Sequence, residues 1–188
     1  MLIVEVGFEL KEKFEYYDKL LKSNGLNNDF NCLTHDIYFT NQNLDDLSEN
    51  EMKEKCIRLR SVNGTDFKVQ NSFDVITEST IPINNIDLFE KTMFDKGYKK
   101  VFDTKKVDHH YFKEGMTTKI QLQEIDKIGL LLYFDNKKYY GYTLEKQRRL
   151  LIDELNSYGF NFNYSDLGLD KLRTLYYKEK KYSLNQNA

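Results

Sequence analysis

Short β-branched and aromatic runs follow one another along this 188-residue chain, most of them separated by too few residues for a crossover helix. Antiparallel strands can be joined by a turn, whereas parallel neighbours need a dozen or more residues between them. The pattern predicts strands over Leu2–Glu9, Phe30–Thr40, Cys56–Val62, Asp66–Asn71, Phe73–Thr80, Tyr98–Phe112, Thr117–Gln123 and Gly129–Asp135. Helical spacing interrupts them at Leu10–Asn24, Asn85–Lys96, Thr143–Tyr158 and from Ser165 to about Lys181. Three of these helices run into a glycine, Gly25, Gly97 or Gly159, the residue that most cheaply adopts a left-handed helix end. The expected fold is α+β. About eight antiparallel strands must twist, and closing them into an eight-stranded β-barrel with flanking helices removes the exposed edges. Two sheets packed as a sandwich are the other solution.

Composition narrows the class. Charged residues make up 31% of the chain and hydrophobic ones 40%, with a net charge of -2. That balance argues against a general nucleic-acid binder, which carries a basic excess. The longest apolar runs fall far short of the ~20 residues a bilayer-spanning helix needs. No basic segment precedes an apolar one at the start, so the sequence reads as cytoplasmic, with no membrane partner. Cys32 and Cys56 lack metal-site spacing and read as small core residues. One proline and nine glycines leave few places for a linker. A single domain over residues 1–182 is expected, with 183–188 a disordered tail.

Alternation along the strands carries the functional information. In Cys56-Ile57-Arg58-Leu59-Arg60, two arginines share one face and the aliphatic residues the other. Only five of the 28 basic residues are arginines, so two on one strand face stand out. Their forked, permanently charged groups suit phosphate or carboxylate. Lys68 shares a face with Gln70, Lys106 with Asp108 and His110, and Lys119 with Gln121 and Gln123. Glu5 and Glu9 share a face of the first strand, and Asp135 closes the last. Each pattern alone describes a solvated strand face. Together, with helices covering the aliphatic side, they would line a lumen if the sheet closes. Such a lumen suits a polyanion, with carboxylates free to hold a bridging Mg²⁺ or Mn²⁺. Adjacent His109 and His110 point to opposite faces and cannot share a metal, and Asn63-Gly64 reads as a hairpin turn.

These residues resemble the CYTH family, the triphosphate tunnel metalloenzymes, which includes class IV adenylyl cyclases and thiamine and inorganic triphosphatases. The resemblance is a series of short pieces in order. Val4-Glu5-Val6 is similar to the opening strand and Asp36-Ile37-Tyr38-Phe39 to the Asp-x-Tyr-Phe element. Ile57-Arg58-Leu59-Arg60 resembles Leu-Arg-x-Arg, Phe67-Lys68 the lysine strand after it, and Lys106 to Tyr111 resembles Lys-x-Arg-x-x-Tyr. Ile120 to Gly129 and Asn163 to Leu167 resemble the later strand-turn-strand and C-terminal elements. The resemblance implies a tunnel binding a nucleotide or an inorganic or organic triphosphate through Arg58, Arg60, Lys68 and Lys106. Glu5 and Asp135 are the implied ligands of Mg or Mn, and a homodimer is the implied assembly. No catalytic residue can be assigned. The opening Glu-x-Glu-x-Lys reads Ile3-Val4-Glu5-Val6-Gly7, which removes one carboxylate and the lysine. Asp108 stands for an arginine, Gln123 for an aspartate, and Tyr133-Phe134-Asp135 for Glu-x-Glu. The implied activity is therefore metal-dependent triphosphate hydrolysis or class IV cyclase chemistry. The alternative is a degraded module that binds nucleotide or polyphosphate as a sensor or adaptor without turnover.

Overall fold

Residues 5–70, 81–165 and 171–186 are described by a computed structural model of the chain. The strands are β1 Glu5–Leu10, β2 Asn27–Thr40, β3 Ile57–Val62, β4 Lys68–Gln70, β5 Ile81–Pro82, β6 Lys99–Phe112, β7 Ile120–Ile125 and β8 Gly129–Asp135. The helices are α1 Phe14–Ser23, α2 Glu49–Lys55, α3 Ile86–Asp95, α4 Leu144–Ser157 and α5 Lys171–Gln186. The fold is thus α+β, and every strand ladder with a determined register is antiparallel. Strand order is β1-β8-β7-β6-β2-β3-β4-β5, with β1 and β5 at its two ends. Among the described residues no ladder joins those ends, so these residues form an open antiparallel sheet and do not by themselves show the expected closed barrel. The strand expected over Phe73–Thr80 lies outside the described residues. Pro82 sits where a strand tolerates a missing donor, at the end of the sheet.

The chain divides into two compact units. The first comprises Met1–Asn31, Val107–Ile125 and Gly129–Leu169; the second comprises Cys32–Lys106, Asp126–Ile128 and Asp170–Ala188. Strands β2 and β6 contribute residues to both.

In the first unit β1 pairs with β8, from Glu5 opposite Asp135 to Leu10 opposite Leu130, and β8 pairs with β7. Val6, Phe8 and Leu10, Ile120 and Leu122, and Leu130, Leu132 and Phe134 project from one face. Tyr17 and Leu21 of α1 and Leu151, Ile152 and Leu155 of α4 complete that core. Leu10, expected to open the first helix, instead ends β1, because its ladder partner Leu130 and burial at 7% exposed fix it in the sheet. Helix α4 starts at Thr143, whose side chain accepts from the Lys146 N–H. It ends before Gly159, which has φ +96°.

In the second unit β2, β3 and β4 form an antiparallel set. Ile37 and Phe39, Leu59 and Ile57, and Phe67 and Val69 share a cluster with Ile86, Phe89 and Met93 of α3. Asn63 and Gly64 both adopt positive φ, and Thr65 N–H donates to the Val62 carbonyl, so the expected turn follows β3. Two elements differ from expectation. Helix α2 was not foreseen, although Ser48 and Glu51 form a reciprocal capping box at its start. Among the described residues helix α5 spans Lys171–Gln186, past the expected end near Lys181, and Ser165 lies in a turn. Tyr176 and Tyr177 of α5 donate to Asp45, joined there by Lys180.

Candidate functional site

The apolar faces of β2, β3 and β4 pack under α3, so the intervening residues project to the other side of the sheet. Register then decides their neighbours. Asp36 stands opposite Arg60, which stands opposite Lys68; Tyr38 stands opposite Arg58, which stands opposite Gln70. A one-residue slip would have buried both arginines beneath the helix. The sequence alternation and the observed register agree, and the cations share a face.

The chemistry of this face centres on Asp36, a residue that sequence reasoning noted only as part of a motif. Asp36 is 3% exposed. Arg60 grips it with two parallel bonds, Nε to Oδ1 and one terminal nitrogen to Oδ2, each 2.6 Å. Lys106 Nζ lies 3.9 Å from Oδ2, and its side chain is 5% exposed. Burial pushes the Asp36 carboxyl up, but the Arg60 bonds and the charges of Arg60, Lys106 and Arg58 prevail and hold it below the ordinary carboxylate value. Tyr38 moves the other way. Burial, reinforced by the Asp36 charge, pushes its hydroxyl up to about 12, so it is neutral at pH 7. Its ring stacks on Phe102 at 4.2 Å.

Arg58 differs from Arg60. Its Nε is buried and has no hydrogen-bond partner among the described residues. A buried donor left without an acceptor costs free energy that a bound anion would recover. Lys68 is exposed. The second unit therefore carries all four cations assigned from sequence: Arg60, Lys106 and Arg58 act on the buried Asp36, and Lys68 stands opposite Arg60 in the ladder.

Glu5 and Asp135 belong to the first unit. They are direct partners across β1 and β8 and so share a face, with Glu5 exposed and Asp135 half-buried. Burial raises the Asp135 carboxyl above its ordinary value, against the lowering effects of Lys137 and of a bond from the Tyr140 hydroxyl at 3.5 Å. A divalent ion beside this carboxyl would act in the same direction as Lys137. Among the described residues no group of three or more His, Cys, Asp or Glu side chains is arranged to hold a metal. Two carboxylates do not make an all-protein cage, and a hard ion on this pair would need water or phosphate oxygens in its other positions. Gln123, on the same unit, is buried with an unpartnered Oε1. Asp108 is buried as well.

The histidines follow the expected division of faces. His109 contacts Asn31 and Glu124, and His110 stacks on Phe30 at 4.2 Å. Cys56 is buried and Cys32 half-buried, and both are thiols, not disulfides. The first unit also has an open groove of about 720 Å³, lined by Gly7–Glu12, Tyr16, Tyr17 and Gly159–Asn163. Periodicity gave no sign of it, because it arises where the end of a strand, the start of a helix and a returning segment meet. No helix among the described residues is long and apolar enough to cross a membrane.

Compared by sequence, the chain matches no family profile and no curated protein. Compared by structure, it is similar to the PH1012 protein of Pyrococcus horikoshii, with TM-score 0.60 and 17% identity over 93% of this chain and 99% of that one. It is similar also to a conserved hypothetical protein of Pyrococcus furiosus, with TM-score 0.57 and 16% identity over 87% and 94%. A third likeness is to a Vibrio parahaemolyticus protein provisionally called an adenylate cyclase, with TM-score 0.53 and 16% identity over 87% and 95%. Nearly whole chains align in each case at low identity, so what this protein shares with them is the fold.

Proposed function

We propose that this protein binds the phosphate chain of a nucleotide or of an inorganic or organic triphosphate on the polar face of β2, β3 and β4. The observation that carries the reading is the set of cations Arg58, Arg60, Lys68 and Lys106, with the Arg58 Nε buried and unpartnered among the described residues. Four basic side chains gather on the second unit, in a chain whose net charge is -2. A forked guanidinium and flanking ammonium groups match the oxygens of a phosphate chain. The resemblance to the CYTH family and the provisional cyclase assignment of the Vibrio protein support the same ligand class. Closure of the strands into the family's tunnel, and the assembly of a dimer, belong to this proposal too.

A second reading adds turnover, and the pairing of Glu5 with Asp135 favours it. These two carboxylates would hold Mg²⁺ or Mn²⁺, which neutralises charge that develops on transferred phosphate. The activity would be triphosphate hydrolysis or cyclase-type chemistry.

Thermal unfolding with tripolyphosphate, ATP, GTP and thiamine triphosphate, each with and without Mg²⁺ or Mn²⁺, tests the binding reading. A ligand at 100 times its Kd adds about 2.7 kcal/mol, which raises the melting temperature by several degrees. Arg58→Gln should weaken binding by about tenfold or more, the scale of one hydrogen bond to a charged group. No rise with any triphosphate would remove the reading. Release of phosphate or pyrophosphate in the same samples, lost in Asp135→Asn, would establish turnover. Stabilisation without release would leave a binding module.

A further inference from the structure

We infer that Asp36 is a resident counter-ion that occupies the Arg60 fork and thereby sets how tightly this face holds a phosphate chain. The inference rests on the anion-binding reading above and concerns the regulation of that site. Its basis is an asymmetry between two arginines two residues apart on one strand face. Arg60 commits its Nε and one terminal nitrogen to the two carboxylate oxygens of Asp36, both at 2.6 Å. This is the side-on, bidentate arrangement by which arginine also grips phosphate, and the same two N–H groups cannot serve both anions at full strength. Among the described residues Arg58 has no such partner on its Nε.

The difference follows from what faces each arginine across β2. Arg60 faces Asp36, and Arg58 faces Tyr38. The phenol, held neutral by burial, neutralises no charge at Arg58. The carboxylate cancels one positive charge at Arg60, and Lys106 at 3.9 Å is drawn to the same atom pair. Arg58 and the exposed Lys68 are then the cations that meet the ligand first, while Arg60 and Lys106 are held back by Asp36. The carboxylate also lowers the cost of burying Arg60 and Lys106 before any ligand arrives.

The test measures binding of tripolyphosphate by calorimetry at fixed salt for wild type, Asp36→Asn, Asp36→Asn/Arg60→Gln and Asp66→Asn. Asp66 is exposed, so Asp66→Asn makes the same change of net charge without releasing a fork. Asp36→Asn should bind about tenfold tighter than wild type, and more tightly than Asp66→Asn, because a guanidinium fork becomes available. The double variant restores net charge, removes the Arg60 fork together with its counter-ion, and should bind within about threefold of wild type. A gain below about threefold in folded Asp36→Asn, or one matched by Asp66→Asn, overturns the inference. So does a loss beyond about threefold in the double variant, since Arg60 would then be a ligand contact in the wild type. If Asp36→Asn does not fold, the double variant alone decides on that criterion. Wild type that fails to bind removes the anion-binding reading itself, whereas wild type that binds with no response to these changes removes only the role of Asp36.

Discussion

Asp36 and Asp135 show how two aspartates of ordinary sequence acquire opposite character. Asp36 is buried but accepts two charged hydrogen bonds, so its carboxyl is held below the usual value of 3.8. Asp135 is half-buried, and its burial outweighs the charge of Lys137 and the bond from Tyr140, so its carboxyl is raised. Linkage turns these shifts into opposite pH dependences. The Asp36 contribution to stability is fully present above 3.8 and is lost as pH falls through its lower folded value. The Asp135 term has the reverse sign, a cost at neutral pH that fades as pH falls through its raised folded value. In acid titrations of unfolding, wild type should therefore lose stability more steeply below about pH 4 than Asp36→Asn, which lacks that carboxylate. Parallel acid limbs would show that Arg60 and Asp36 are not paired in solution. At neutral pH without metal, Asp135→Asn should unfold at or above the wild-type temperature, and a clear fall would contradict its raised carboxyl.

Helix ends repeat one solution with different tolerance. Gly97 has φ +81° and open space where a Cβ would stand, whereas Gly159 has φ +96° and would place a Cβ 2.9 Å from the Leu20 side chain of α1. Gly97→Ala should cost about 1 kcal/mol for the left-handed backbone alone. Gly159→Ala should cost more, since Leu20 must also move, and urea unfolding of the two variants gives the comparison. Equal costs would mean that Leu20 yields freely. The glycine stops of α1, α3 and α4 were readable because a left-handed residue after an amphipathic run has a local cause. The C-terminal extent of α5 was not, because its place depends on distant partners, such as Asp45 for Tyr176, Tyr177 and Lys180. Helix α2 was readable after the fact in its Ser48-to-Glu51 box, a signal overlooked beside the strands around it.

At the scale of the whole molecule, each unit has its own apolar cluster with residues at 0% exposure, Leu122 in the first and Leu59 in the second. Truncating either to alanine should cost about 2–5 kcal/mol, the range for a buried leucine. If only one of Leu122→Ala and Leu59→Ala shifts the urea midpoint, the unaffected cluster does not contribute to the main transition. A shift in both ties global stability to the two clusters alike.

Alternation by itself determined the class of fold and the sharing of a face by Arg58, Arg60, Lys68 and Gln70, because a strand puts every second residue on the same side. It also placed Glu5 and Asp135 on strands that could carry paired carboxylates. Which residue stands opposite which was decided only by tertiary structure, since register depends on packing under α3 and on the Asn63-Gly64 turn. That register sets Asp36 against Arg60 and Tyr38 against Arg58, and so makes two arginines of one motif unequal. Closure of the sheet was equally beyond local pattern. Periodicity fixes the faces of a strand, while the pairing of its edges depends on residues distant in the chain.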